Sequence, residues 1–292
     1  MQIEIEWENG FTSITDGVLA KLMQIEGQGM AEGHAITDRG PMQHGETYVG
    51  YRLDPRTIQL VLGVWGATWT EIEAKTDTLM RLLRFRDGLY HVRFTTDAGY
   101  VRLINCCYGG GMTLGREPGA TFTKIGLALY APDPTFYDEA GDSICFSLAG
   151  GGTGWAIPWV IPWTLGMSTL SQTVTIPYSG SFKAYPFIHI IGPITDCEIT
   201  NNVTGDTLDF DGVTIAAAHY YDIDCAYGVK TVTDNHGTNK IADLSYVSDL
   251  ASFHLAAAPE APGGNNSITV TGTSITAATQ IYMSYHTRFV GI

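Results

Sequence analysis

The chain has 292 residues, 45% of them hydrophobic, 16% charged and 34 of them Gly, and its net charge is −14. That length and apolar content suit two ordinary domains with real cores, and the low charge and abundant turn-formers point to β-structure. So acidic a surface excludes coating of nucleic acid or of an anionic membrane, while leaving room for a partner with a local basic patch.

The N-terminus alternates cleanly. Ile3, Ile5 and Trp7 fall on one side and Glu4, Glu6 and Glu8 on the other, the pattern of a half-buried strand with an acidic outer face. Asn9-Gly10 follows as a hairpin turn. Residues 24–50 are rich in Gly, His and polar groups with little periodicity, and read as a long excursion. Strand character resumes from Tyr48 to Val64, broken by Asp54-Pro55.

One segment is helical. Thr70 and Glu73 make a T-x-x-E capping box, Ile72, Leu79, Leu82 and Leu83 recur near helical spacing, and Gly88 supplies a stop. Lys75, Arg81, Arg84 and Arg86, a quarter of the 16 basic residues, ride on this segment. They form either a solvated face or an interface with an acidic neighbour, and with Glu4 and Glu6 they are the interface candidates. Tyr90–Thr95 and Tyr100–Asn105 then form a hairpin, Gly109-Gly110-Gly111 a flexible loop, and Thr121–Tyr130 a further strand.

Ala131-Pro132-Asp133-Pro134 breaks the pattern and marks a boundary, giving domains at 1–138 and 139–292. The second half holds no good helix. Short strands follow at Thr173–Ile176, Phe187–Ile191, Cys197–Thr200, Leu208–Phe210, Tyr220–Asp224, Val229–Thr233, Ser252–Leu255, Ser267–Thr271 and Gln280–Phe289. Many short strands separated by turns such as Asp211-Gly212 and Gly263-Gly264 argue for a β-sandwich.

A search for chemistry returns little. No G-x-S-x-G nucleophile elbow and no Walker loop occur, and Gly27-Gln28-Gly29-Met30-Ala31-Glu32 ends in Glu where a dinucleotide fingerprint needs Gly. The eight histidines show no metal-binding spacing. Asp209/Asp211 and Asp222/Asp224 each place two carboxylates on one strand face, a pattern that serves calcium or, more often, turns. Five cysteines without a C-x-x-C pair make neither a disulfide framework nor a zinc site and read as buried thiols. Trp155, Trp159 and Trp163, held out of a helix by Pro158 and Pro162, serve either as packing aromatics or as a platform for sugar rings. No signal peptide and no membrane-length apolar run are seen, so synthesis in the cytoplasm is expected. No cofactor, no metal and no catalytic residue is expected.

The order of these features resembles the distal tail proteins of long-tailed phages. Leu127-Ala128-Leu129-Tyr130-Ala131-Pro132-Asp133-Pro134-Thr135-Phe136-Tyr137-Asp138 is similar to that family's domain junction. Tyr185–Pro193 resembles its Pro-strand-Gly-Pro segment, Asn201-Asn202-Val203-Thr204-Gly205 its following turn, and Tyr221–Asp224 its Ile-Asp strand. Gly263-Gly264-Asn265-Asn266 and Tyr285-His286-Thr287-Arg288-Phe289 resemble its late turn and closing strand. The likeness spans nearly the whole chain, although residues 24–50 and the Ile-Pro-Trp stretch have no counterpart in it.

The resemblance implies a mostly β fold with one main α-helix: an N-terminal barrel- or sandwich-like domain that forms a ring, and a peripheral galectin-like β-sandwich. It implies a non-enzymatic, hexameric ring at the distal end of a virion tail, joining the tail tube protein to the tip or hub protein. Tape-measure and receptor-binding proteins are further candidate partners, and neither nucleic-acid binding nor membrane insertion is expected. The competing reading is a carbohydrate-binding module that contacts the host surface through Trp155, Trp159 and Trp163.

Overall fold

The structure, a computed structural model, describes residues 1–7, 10–84, 87–115, 121–147, 169–276 and 278–292. The chain divides into two compact units, Met1–Glu139 with Phe289–Ile292, and Ala140–Arg288. The last four residues thus lie with the first unit, whereas the sequence reading runs the second domain to residue 292.

The first unit contains β1 (Gln2–Trp7), β2 (Gly10–Ser13), β3 (Lys21–Glu26), β4 (Gly33–Asp38), β5 (Thr47–Leu53), β6 (Arg56–Trp65), α1 (Trp69–Leu82), β7 (Tyr90–Thr95), β8 (Val101–Leu114), β9 (Phe122–Ala131) and β10 (Phe136–Tyr137). Most of these strands form one antiparallel sheet in the order β2-β1-β7-β8-β9-β6-β3. Alternation decides which face is inside. Ile58, Leu60 and Leu62 of β6, Ile125, Leu127 and Leu129 of β9, and Ile3 and Ile5 of β1 all point into one core. Ile72, Leu79 and Leu82 bring α1 onto the same core, one face of a 3.6-residue period.

The helix starts two residues earlier than the Thr70/Glu73 box predicts. Thr68 is the N-cap and accepts from the Glu71 N–H, while Glu71 reaches back to the Ala67 N–H at 2.8 Å. The same T-x-x-E spelling occurs twice, and the earlier copy wins because Gly66 breaks the chain just ahead of it. At the other end Leu83, not Gly88, is the C-cap, donating to the Leu79 carbonyl.

Two loops of the sequence reading are strands. Gly109-Gly110-Gly111 lies inside β8, where the register slips against β9; Gly110 and Gly111 take φ of 94° and 77°. The glycines permit a bulge rather than a loop. The 24–50 excursion contains the end of β3 and most of a two-stranded antiparallel sheet, β4 with β5.

The second unit contains β11 (Asp142–Ser147), β12 (Thr169–Pro177), β13 (Phe187–Ile191), β14 (Ile194–Asn201), β15 (Thr207–Asp209), β16 (Thr214–Ile215), β17 (Tyr220–Asp224), β18 (Thr231–Asp234), β19 (Asn265–Thr273) and β20 (Gln280–Tyr285), and the short β21 (Arg288–Phe289) follows. Two five-stranded antiparallel sheets result, one ordered β11-β20-β13-β17-β18 and the other β12-β19-β14-β15 with β16 beside β14. Ile188, Ile190, Ile223 and Ile281 of the first sheet share one core with Ile199, Leu208, Ile268 and Val270 of the second, which makes the unit a β-sandwich.

Ser252–Leu255 is not a strand. The N–H groups of Ser252 and Phe253 turn back to the Asp249 carbonyl, and Leu255 makes a lone bridge to Ala184. The closing strand is also interrupted, with β20 ending at Tyr285.

Candidate assembly interface

The ribbon formed by β4 and β5 has no core of its own. Every residue of β4 is exposed. Ile36 is 47% exposed, Tyr48 62%, Val49 64% and Tyr51 58%. Register places Ala35 opposite Tyr51 and Thr37 opposite Tyr48. Residues 35 and 37 are two apart on β4, and the register shift between Ile36 and Thr37 lets Tyr48 and Tyr51, three apart on β5, pair on that same face. A two-stranded ribbon is marginal in water, and a cluster of bare aromatic and β-branched side chains marks a contact surface.

The base of this arm is anchored by Arg56, the first residue of β6. Arg56 is 5% exposed, and its guanidinium lies over the Phe136 ring at 4.6 Å. Among the described residues no carboxylate meets it; four carbonyls do. Nε donates to Pro134 at 2.8 Å, Nη1 to Gly27 at 2.8 Å and Gly29 at 2.6 Å, and Nη2 to Val290 at 2.6 Å. Burial lowers its pKa from the ordinary arginine value. Arg56 therefore ties together the segment entering the arm, the chain leaving β9 and the C-terminal tail. Ile292 adds an N–H bond to the Gln28 carbonyl at 3.1 Å.

A second uncovered apolar feature lies beside α1. A pocket of about 250 Å³ is lined by residues of α1 and β8, among them Met80, Leu83, Arg84, Tyr108, Met112 and Leu114.

The charged candidates mostly find partners within the subunit. Glu4 lies 3.2 Å from Arg93 on the neighbouring strand, and Glu6 faces His91 at 3.8 Å. Arg93 also pairs with Glu139 and stacks over the Phe11 ring at 3.8 Å. Lys75 donates to the Trp65 carbonyl at 2.9 Å and approaches Glu71 at 3.4 Å, while Arg81 pairs with Asp77 at 2.6 Å. Arg84 lies over the Trp7 ring at 5.2 Å on the rim of the pocket. Glu8, Arg86, Trp155, Trp159 and Trp163 lie outside the described residues. The structure thus brings Glu4, Glu6 and Arg93 together on one sheet face, with the helix cations held mainly by acids of their own helix.

Sequence reasoning found the strand character of β5 but missed β4, its pairing with β5, and Arg56. The arm carried a signal, since Thr47, Tyr48, Val49 and Tyr51 are β-formers and Gly40-Pro41 is a turn. Arg56 carried none, because its acceptors are backbone carbonyls, the farthest of them 234 residues away in sequence.

No group of three or more His, Cys, Asp or Glu is placed to hold a metal among the described residues. Asp222 is held by His189 at 2.5 Å and Asp224 accepts from the Ala226 N–H at 2.8 Å, so both serve local structure. Burial pushes the thiols of Cys106, Cys197 and Cys225 up to about 12, far from nucleophilic at neutral pH. No helix among the described residues is long and apolar enough to cross a membrane.

The architecture, with one α-helix among the described residues, a first unit built on a large antiparallel sheet and a second that is a β-sandwich, defines a mostly β, two-unit fold. Among solved structures it is shared with the Dit protein of phage SPP1, described as a paradigm of hub adsorption apparatus in phages infecting Gram-positive hosts; the TM-score is 0.64 at 15% identity, over 97% of this chain and 98% of that one. Structures of the phage P2 baseplate in its activated conformation align at TM-scores of 0.46 with Ca and 0.43 with Sr, each at 10% identity over 97% of both chains. No protein-family model and no curated protein matches the sequence. The mostly β, single-helix fold expected from the resemblance is therefore the fold found.

Proposed function

We propose that the chain is a structural, non-enzymatic subunit of a phage tail-tip or baseplate hub. It forms a ring through its first unit, joins the tail tube to the tip protein, and presents its sandwich to adsorption proteins. The observation that carries this reading is the arm of β4 and β5, whose aromatic face has no cover among the described residues and whose base is fixed by a buried arginine. An element that is anchored but uncovered is what a subunit needs in order to reach its neighbour. The SPP1 Dit likeness over 97% of the chain supports the kind of assembly.

Negative-stain imaging and light scattering of the intact protein test it, alongside a variant carrying Ile36→Ser, Tyr48→Ser and Tyr51→Ser. The wild type is expected to form closed rings and the variant to remain monomeric with an unchanged circular-dichroism spectrum. Rings formed equally well by the variant, or a wild type that stays monomeric at all concentrations, would overturn the reading.

A further inference from the structure

Between Ala140 and Arg288 the chain carries twelve Asp and Glu residues against four Lys and Arg, a net of −8. Three of those four cations converge on one ring. Lys230 Nζ lies 4.9 Å from the centroid of Tyr185, Arg288 Cζ 5.5 Å and Lys183 Nζ 5.9 Å. Tyr227 stands edge-on to Tyr185 at 4.9 Å, is 68% exposed, and has Lys230 at 5.0 Å from its own ring. The fourth cation, Lys240, behaves as isolated cations on acidic surfaces do, approaching Asp243 to 4.0 Å. Lys183 and Lys230 have no ion pair among the described residues.

Gathering like charges is unfavourable unless something offsets it. Faces of Tyr185 and Tyr227 offset part of it, since cations favour the negative face of an aromatic ring. Lys230 bears further costs. Its backbone takes the left-handed φ of 47°, and its ammonium is committed to the Cys225 carbonyl at 2.6 Å. Burial lowers its pKa and the neighbouring Lys183 lowers it further, while Asp224 and Asp206 act in the opposite direction. Strain and like-charge crowding at one point of an otherwise acidic unit mark a site prepared for an absent counter-charge.

We propose that this cluster is an anion-binding site for a phosphate group, and that the Tyr227 ring extends it to a phosphate carried on a sugar. Charge matching selects phosphate over a single carboxylate: a phosphate monoester carries about −1.5 to −2 near neutral pH, enough to balance two of three cations. The donors match as well. Arg288 brings a planar fork and the lysines bring compact ammonium groups, the two chemistries that recognise phosphate oxygens. Tyr227, exposed beside them, offers an apolar ring face to whatever bears the phosphate.

Isothermal titration of the intact protein at low ionic strength tests this, with inorganic phosphate and glucose 1-phosphate as probes. Both are expected to bind saturably, glucose 1-phosphate more tightly, and both less tightly as salt is added. Lys183→Gln and Lys230→Gln should each weaken both probes about tenfold. Tyr227→Ala should weaken glucose 1-phosphate and leave inorganic phosphate unchanged. The Lys183 side chain makes no backbone bond among the described residues, so its variant keeps the test open if Lys230→Gln disturbs the turn. Absence of saturable binding of either probe overturns the proposal, as does unchanged affinity in Lys183→Gln. Hexaglutamate binding more tightly than both probes overturns it in favour of an acidic protein segment, and equal loss of both probes in Tyr227→Ala overturns the sugar half.

Discussion

Replacing Arg56 with Met removes the guanidinium while keeping an unbranched apolar stem over Phe136. Four carbonyls lose their donor: Gly27, Gly29, Pro134 and Val290. Hydrogen bonds to a charged group contribute about 1.5–3 kcal/mol each, so the gross loss is roughly 6–12 kcal/mol. Two effects reduce it. Gly27 and Gly29 are exposed and their carbonyls regain water. Removing the buried guanidinium also returns its desolvation cost, several kcal/mol for an ion. A net loss of about 3–4 kcal/mol remains, near that for breaking a buried ion pair. For a unit of this size that corresponds to a melting transition lower by roughly 6–12 °C. Arg56→Lys keeps the charge but loses the fork, and should fall between the two.

Calorimetry of the intact protein reads the transition temperature, and hydrogen exchange of the Ile292 amide reads the tail directly through its bond to Gln28. Faster exchange at Ile292 and a lower transition in Arg56→Met are expected. A variant melting within about 1 °C of wild type, with Ile292 still protected, would refute the reasoning, because the carbonyls would then need no cation.

Asn266→Leu removes a buried amide that accepts from the Ala256 N–H at 2.8 Å and donates to the Ala256 carbonyl at 2.9 Å. Each stranded backbone group costs about 1–3 kcal/mol, so urea melts should show the sandwich destabilised by roughly 2–5 kcal/mol. Thiol titration of the native protein at pH 8 should find Cys145 reactive, since it is exposed, and Cys106, Cys197 and Cys225 silent until denaturation, since burial holds them near 12. At a net charge of −14 the free protein should not retard DNA at physiological salt; micromolar, salt-sensitive binding would contradict the expectation that so acidic a surface excludes nucleic acid.

Much of the fold was written in local patterns. Strands such as Phe187–Ile191 and Tyr220–Asp224 alternate over five residues with one face buried, and for them the reading and the structure coincide. The misreadings share a cause: the deciding interaction lay elsewhere in the chain. Gly109-Gly110-Gly111 has the composition of a loop, yet β9 supplies a ladder that turns it into a bulged strand. Ser252–Leu255 has the composition of a strand, yet the Asp249 carbonyl curls it into a turn. Asn201 and Asn266 mark recognisable turns, while the reason for them, a bond from Asn201 Nδ2 to Asn266 Oδ1 at 3.3 Å in the core, spans 65 residues. The charged candidates illustrate the same limit. A charge pattern shows which residues are polar, but only register shows that Arg93 sits opposite Glu4.

That distinction bears on where assembly contacts should be sought. An ion pair already closed within a subunit has little to offer a neighbour: opening the exposed Arg81–Asp77 pair to make an equivalent pair outside exchanges one bridge for another, each worth about 0–1 kcal/mol, and opening the half-buried Glu4–Arg93 pair first strands its charges. Bare apolar surface has no such internal competitor. Covering Tyr48 and Tyr51 removes aromatic area from water at about 25 cal/mol per Å², and nothing in the subunit must first be broken. The same logic separates the arm from the Tyr185 cluster. The arm gains by burial and should tolerate salt, whereas Lys183 and Lys230 gain by neutralisation and should lose affinity as salt rises. Ionic strength therefore distinguishes the two surfaces in a single preparation: rings that persist at high salt while phosphate binding vanishes place assembly on the arm and anion recognition on the sandwich.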